Sequence, residues 1–210
     1  MEKLLYIQAS PRLERSRSIA VSNAFVEAYK EENPGDQVIT LNLFLADLPQ
    51  FDGHALEAKY NILHGREHTE EDAEAWRSIE NFIEEFTSAD KYVLAVPMWN
   101  FLIPYRLKHY LDIIVQPGYT FRVDEKGQYE GLVRGKPLML VCSRGGEYLP
   151  GTETEALDFQ TPYLTMIMGF IGFQDIRTIK VEPTLAGGPE RAEKRVAQAV
   201  EKARAMAGVF

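Results

Sequence analysis

The strongest constraint on this chain is the way its first apolar run ends. Lys3-Leu4-Leu5-Tyr6-Ile7-Gln8-Ala9 stops abruptly at Ser10-Pro11, and helical spacing begins soon after, with Val21, Phe25, Ala28 and Tyr29 on one stripe. A short apolar run cut off by turn residues reads as a buried strand. Ser16 or Ser18 can cap the helix, and Asn33-Pro34-Gly35 ends it. Gln37 to Leu43 then reads as a second strand with β-branched content. Together these make a βαβ unit, which commits the chain to a parallel sheet covered by helices on both faces.

The alternation continues to the end of the chain. Leu48 to Thr69 is polar and irregular, after which Trp76, Ile79, Phe82, Ile83 and Phe86 restore a helical face. Tyr92 to Val96 is a third strand closed by Pro97, and Pro104 to Val115 a helix with proline in its first turn. Thr120 to Leu132 reads as a hairpin around Asp124-Glu125-Lys126-Gly127. Pro137 to Cys142 and Asp175 to Val181 supply two more strands, separated by an apolar helix near Tyr163 to Phe170. Pro189 to Ala207 forms an Ala-rich end helix. With no linker or repeat in sight, the expectation is one α/β domain over residues 1–210.

Composition removes several classes of function. A formal net charge of -8 argues against nucleic acid as partner. No apolar run reaches the roughly 18 residues needed to span a bilayer, and Met1 to Ile7 is too brief for a secretory segment, so a cytoplasmic protein is expected. The single cysteine, Cys142, excludes an internal disulfide and ends a buried strand, where an inert core thiol is expected. His64 and His68 have the spacing of a metal-binding helix face, but a solvated acidic segment explains the same residues, and no metal is expected.

In doubly wound sheets, ligands bind beyond the carboxyl ends of the strands. That rule points to three loops, Ser10 to Ser18, Pro97 to Pro104 and Ser143 to Thr152. The first brings hydroxyls and arginines to a helix N-terminus, where free amides and the helix dipole favour a phosphate. The second puts Met98, Trp99, Asn100 and Phe101 where a turn is normally polar, which suits a flat heteroaromatic ring; a satellite core beneath the next helix would use Phe101 and Leu102 equally well. The third offers Gly145-Gly146, which permits positive φ and close approach of backbone to a ligand, though glycine pairs are also common in plain turns. A P-loop, a serine-hydrolase elbow and a cysteine-phosphatase loop all fail on spacing.

Taken together, the residues of these loops resemble the FMN-dependent NADH:quinone oxidoreductases, also called FMN-dependent NADH-azoreductases. The resemblance rests on Ser10 with Ser16-Arg17-Ser18, Pro97-Met98-Trp99-Asn100-Phe101, Leu107-Lys108 with Tyr110, Thr120-Phe121-Arg122, Gly131-Leu132, Ser143-Arg144-Gly145-Gly146, and Thr161-Pro162-Tyr163-Leu164 through Gly172. It runs nearly end to end. Trp99 stands where many relatives carry tyrosine, and Glu147 to Gln160 is longer than usual.

The resemblance implies a flavodoxin-like fold with a five-stranded parallel sheet in the order 2-1-3-4-5. It implies that Ser10, Ser16, Arg17 and Ser18 hold the FMN phosphate, and that Pro97, Met98, Trp99, Asn100, Phe101, Ser143, Arg144, Gly145 and Gly146 hold the ring. Trp99, Tyr119, Phe121 and Tyr148 would face substrate. FMN performs the chemistry, so no catalytic side chain is expected; NADH or NADPH is the donor, and quinones and azo compounds are the acceptors in a ping-pong cycle. The rival reading is a flavodoxin-type carrier that NADH does not reduce. The aromatic and methionine surface of residues 104–115, Tyr119, Phe121 and 164–168 exceeds what one sheet face buries, so a two-fold homodimer with shared sites is also expected.

Overall fold

In the computed structural model, which describes residues 1–210 apart from the side chain of Leu63, seven strands form along the chain. They are β1 (Lys3–Gln8), β2 (Gln37–Asn42), β3 (Lys91–Pro97), β4 (Phe121–Val123), β5 (Tyr129–Gly131), β6 (Leu138–Ser143) and β7 (Ile176–Val181). Five of them make one parallel sheet in the order β2-β1-β3-β6-β7, while β4 and β5 pair only with each other as an antiparallel hairpin. Numbering by sheet alone therefore skips the hairpin.

The strands that read as continuous apolar runs are those buried on both faces. Along β1, Leu5 and Ile7 enter one core while Leu4 and Tyr6 enter the other; along β6, Leu138, Leu140 and Cys142 alternate in the same way with Met139 and Val141. The first core is covered by α3 (Glu70–Ser88), α4 (Tyr105–Ile114) and α5 (Gln160–Ile171), through Trp76, Ile83, Phe86, Leu107, Tyr110, Leu164 and Met168. The second is covered by α1 (Arg17–Glu32) and α6 (Gly188–Ala207), where Ala199, Ala203 and Ala207 let α6 approach Phe25 and Tyr29 closely. No helix among the described residues is long and apolar enough to cross a membrane.

One element departs from the sequence expectation. The stretch taken as irregular contains α2 (Gly53–Leu63), capped by Asp52, whose Oδ1 accepts from Ala55 N at 3.0 Å. Among its described side chains the buried ones are Ala55, Ala58 and Lys59, none of them a large apolar residue. The acidic start of α3 is fixed by a capping box between Thr69 and Asp72, and His54 reaches across to Asp72 at 2.8 Å. His64 stacks on Tyr60 instead of meeting His68, and no group of metal ligands forms among the described residues.

The core of α3 contains one polar conflict. Glu85 Oε1 is buried without a hydrogen-bond partner, as is the Tyr110 hydroxyl, and burial raises the Glu85 pKa despite the countering charge of Lys3. A raised carboxyl pKa means that the folded state binds the proton more tightly than the unfolded state, so stability falls as pH rises through that range. Glu85→Gln is therefore expected to leave stability unchanged near pH 4 and to increase it at neutral pH by about 1 kcal/mol, or roughly 2–4 °C in Tm. Thermal melts at the two pH values check this; an equal shift at both would contradict it.

Candidate functional site

The carboxyl edge of the sheet is where the predicted loops meet. Ser16 caps α1, its Oγ accepting from Ile19 N at a long 3.5 Å and lying 3.1 Å from Ser18 Oγ. No acidic residue occupies the first turn of α1, and Arg12 and Arg17 stand at its mouth, so the positive end of the helix is left uncompensated. Ser10 is buried at the end of β1. A cavity of about 190 Å³ opens here, lined by Ser10, Arg12, Ser16, Arg17, Pro97, Met98, Trp99, Ser143, Gly145, Thr184 and Leu185.

The second loop is a two-residue hairpin. Trp99 N donates to Leu102 O and Leu102 N to Trp99 O, both at 3.0 Å, which leaves Asn100 and Phe101 as the turn with φ of 47° and 70°. Two left-handed residues define a type I′ turn, whose usual sequence is Asn-Gly. Asparagine fits that geometry; phenylalanine bears strain of about 1–2 kcal/mol. The turn is held from three sides. Met98 N donates to Ser143 O at 2.8 Å, Phe159 N donates to Phe101 O at 3.1 Å, and Trp99 leans on Phe44 and Tyr105. Its outer wall is a second cavity of about 610 Å³ that shares Trp99 and Asn100 and runs along Phe51, Tyr105, Lys108 and His109.

The third loop corrects the sequence reading twice. Gly145 and Gly146 are absent from the positive-φ positions, so their backbone freedom is not what the fold uses. At Gly145 space is tight, since a Cβ there would sit 3.0 Å from Leu185 Cδ1, whereas one on Gly146 would make only an ordinary contact at 3.7 Å from the Tyr148 ring. Arg144 does not face the cavity. Its guanidinium is fully buried behind the loop, where it pairs with Asp158 at 2.8 Å and Glu182 at 3.3 Å, donates to Gln160 Oε1 and Thr161 Oγ1, and stacks on Tyr148. Gln160 Nε2 in turn donates to Val96 O, and Tyr148 N to Glu182. This network clamps the third loop to the start of α5. The Cys142 thiol beneath it is pushed up to about 12 by burial and is an inert core group.

Of the expected cofactor residues, Ser10, Ser16, Arg17, Pro97, Met98, Trp99, Ser143 and Gly145 share the cradle cavity. Ser18 is buried 3.1 Å from Ser16, while Asn100, Phe101 and Gly146 lie outside this lining, Asn100 on the neighbouring cavity and Phe101 exposed. Arg12, one of the arginines of the first loop, also lines the cradle, and Thr184 and Leu185 complete the lining without having been singled out. The signal for Thr184 and Leu185 was present, because they follow β7 at the same sheet edge. The four expected substrate residues are dispersed. Trp99 lies between the two cavities, Tyr148 borders a separate cleft beside α5, and Phe121 lines another against α2 and α4. Tyr119 turns inward, its hydroxyl donating to Glu80 at 2.5 Å.

Comparison with known proteins gives a consistent picture. A family model described as flavodoxin-like fold matches residues 2–207. The FMN-dependent NADH:quinone oxidoreductase of Nitratidesulfovibrio vulgaris (strain DP4) is 54% identical over 210 residues, covering 100% of both chains. Its counterpart of the same name in Desulfotalea psychrophila is 46% identical over 191 residues, 91% of this chain and 90% of that one. Among solved structures, azoreductase from Bacillus anthracis str. Sterne superposes with a TM-score of 0.92 at 30% identity, with full coverage of both chains. An FMN-dependent NADH-azoreductase from Bacillus anthracis str. Ames Ancestor, in complex with FMN, gives 0.89 at 28% identity over 98% of this chain and 99% of that one.

Proposed function

This chain belongs to the flavodoxin-like FMN-dependent NADH:quinone oxidoreductases, and from that premise we propose that it binds FMN across the three loops and reduces quinones and aromatic azo compounds with NADH or NADPH. The observation that carries the reading is the cradle itself. Buried hydroxyls, two arginines and an uncompensated helix N-terminus converge on one cavity at the switch point of the sheet, where β1 and β3 are neighbours although β2 follows β1 in the chain. That donor set fits a phosphate monoester. The loop beside it sets Pro97, Met98 and Trp99 against the cavity, apolar surface that fits a ring attached to that phosphate.

FMN, when bound, supplies the two-electron chemistry. The chain's own residues have simpler tasks. Ser10 and Ser16 donate to the phosphate, with Arg12 and Arg17 balancing its charge. Trp99 walls the ring cradle on one side and the acceptor cavity on the other. Backbone amides of the Asn100 turn and of Gly145-Gly146 would be the donors available to the polar edge of such a ring, where they would stabilise negative charge. No side chain has to act as nucleophile or general acid. One site open to both donor and acceptor would make the kinetics ping-pong.

The dispersal of Tyr119, Phe121 and Tyr148 supports a second copy as the missing wall. Exposed Phe159 and Met166 beside α5, with Val123 and Tyr129 on the hairpin, leave apolar surface that an isologous two-fold dimer would cover, bringing one protomer's hairpin over its partner's cradle.

Anaerobic mixing tests the activity. The yellow protein is expected to bleach with NADH alone and to recover its visible absorbance when a quinone is added. Protein that stays yellow with both NADH and NADPH is a carrier and ends this reading. Light scattering at low concentration tests the assembly, where an active, flavin-loaded species near 23.9 kDa overturns the shared site.

A further inference from the structure

We propose that Thr184 binds the polyol tether of FMN, as the acceptor for a ribityl hydroxyl, and so selects a flavin by the chain that joins its ring to its phosphate. The inference rests on the flavin-binding reading above, which it deepens by assigning a further binding residue.

The hydroxyls of the cradle divide into two polarities. A hydroxyl has one proton to donate and two lone pairs with which to accept. Ser10 Oγ accepts from Arg12 N at 3.4 Å, and Ser16 Oγ accepts from Ile19 N at 3.5 Å. Ser16 and Ser18 share one hydrogen bond, so between them one proton is uncommitted. At this end of the cavity backbone amides take up lone pairs and leave hydroxyl protons for a ligand. Such protons, beside Arg12 and Arg17, suit an anion.

Thr184 is set the other way. Its Oγ1 donates to Arg144 O at 2.8 Å, and because a carbonyl only accepts, the direction of this bond is fixed. What the side chain has left are lone pairs. An ionised phosphate oxygen offers only lone pairs in return, so Thr184 is unsuited to the anion and matches a hydroxyl donor instead. Tying the loop does not account for the bond, since Arg144 O already accepts from Thr184 N at 2.8 Å. The second donor to that carbonyl serves to hold the threonine oxygen in one orientation. The segment beyond it is fixed as well, with Leu185 N and Ala186 N both donating to Gly145 O, at 3.1 and 3.0 Å. An acceptor held this firmly loses little freedom when a ligand arrives.

The size of the cavity assigns it to the tether end of the cofactor. Its volume of about 190 Å³ falls below the roughly 300–1,000 Å³ of a whole small-molecule site. Ser10, Arg12, Ser16 and Arg17 mark the end that suits an anion, and Trp99 marks the boundary with the larger cavity outside. The phosphate and the hydroxylated chain next to it are the part of FMN that such a space accommodates, which leaves the ring to the apolar surface of Pro97, Met98 and Trp99.

The test titrates the flavin-free full chain with FMN and with a flavin whose N10 carries a pentyl phosphate lacking hydroxyls, each followed by flavin fluorescence. In Thr184→Val the Kd for FMN is expected to rise about 5- to 10-fold more than the Kd for the hydroxyl-free flavin, and Thr184→Ser is expected to return both to within about twofold of wild type. Thr184→Ala repeats the measurement if the valine variant does not fold. Equal rises for the two flavins mean that Thr184 only ties the loop, or meets the phosphate or the ring, and overturn the proposal, as does no rise at all. A wild type that binds neither flavin ends the flavoprotein reading and this proposal together. A wild type that binds both, with no difference between the two flavins in the variants, ends this proposal alone.

Discussion

Arg144→Met is expected to cost about 3–5 kcal/mol of stability and to abolish FMN retention through gel filtration, although Arg144 does not line the cradle. Removing the guanidinium leaves Asp158 and Glu182, both nearly buried, with only Lys180 at 3.7 Å from Asp158 as a remaining cation. The carboxylates repel each other, and the Gly145-Gly146 loop loses its tie to Gln160 and Thr161. Glu182→Gln is the milder counterpart, because it keeps the shape and the hydrogen bond from Tyr148 N while deleting one charge. Fluorescence titration with FMN and denaturant unfolding measure the two effects separately. An Arg144→Met protein that unfolds at the wild-type midpoint and stays yellow would show that the clamp does not position the loop.

The largest purely structural effect is expected at Gly131, the last residue of the hairpin. A Cβ there would lie 2.3 Å from Gly172 N and 2.4 Å from the Ile171 carbonyl carbon. Both are backbone atoms at the end of α5, so no side-chain rotation can make room. The adjacent Val133 N donates to Ile171 O at 2.8 Å, which fixes the approach. Gly131→Ala should therefore destabilise the chain by at least about 3 kcal/mol, or roughly 6–12 °C in Tm at this length, and detach the hairpin from α5. Gly135→Ala serves as a comparison, since a Cβ there meets nothing within 4 Å and pays only for a φ of 69°. Equal losses at the two positions would refute the crowding argument.

What the sequence disclosed follows from where physical necessity is local. The buried strands could be read because burial on both faces demands consecutive apolar residues, and a single proline or serine cuts them to length. The cradle was legible for the same reason: strand ends at a doubly wound edge converge whatever the side chains are. α2 was missed because its burial falls on Ala55, Ala58 and the stem of a lysine, none of which signals an apolar stripe. Arg144, which the resemblance set against the ring, is instead turned behind the loop. Its true partners, Asp158, Thr161 and Glu182, are distant in the chain, and their proximity is a product of the fold.

The turn at Asn100-Phe101 ties two kinds of selection to one codon. Its backbone conformation favours glycine at the second position, yet the residue there is an exposed phenylalanine between Asn100 and Leu102, which line the cavity outside Trp99, and lies edge-on to Tyr148 at 6.5 Å. Any substitution at 101 alters the mouth of the slot and the elastic energy of the loop together. Among descendants of this chain, acceptor range and thermal robustness therefore cannot drift independently at this position. A lineage that widens its diet by placing glycine at 101 relieves the strain in the same step, and one that keeps a side chain there must hold it with neighbours such as Phe159 and Ser143.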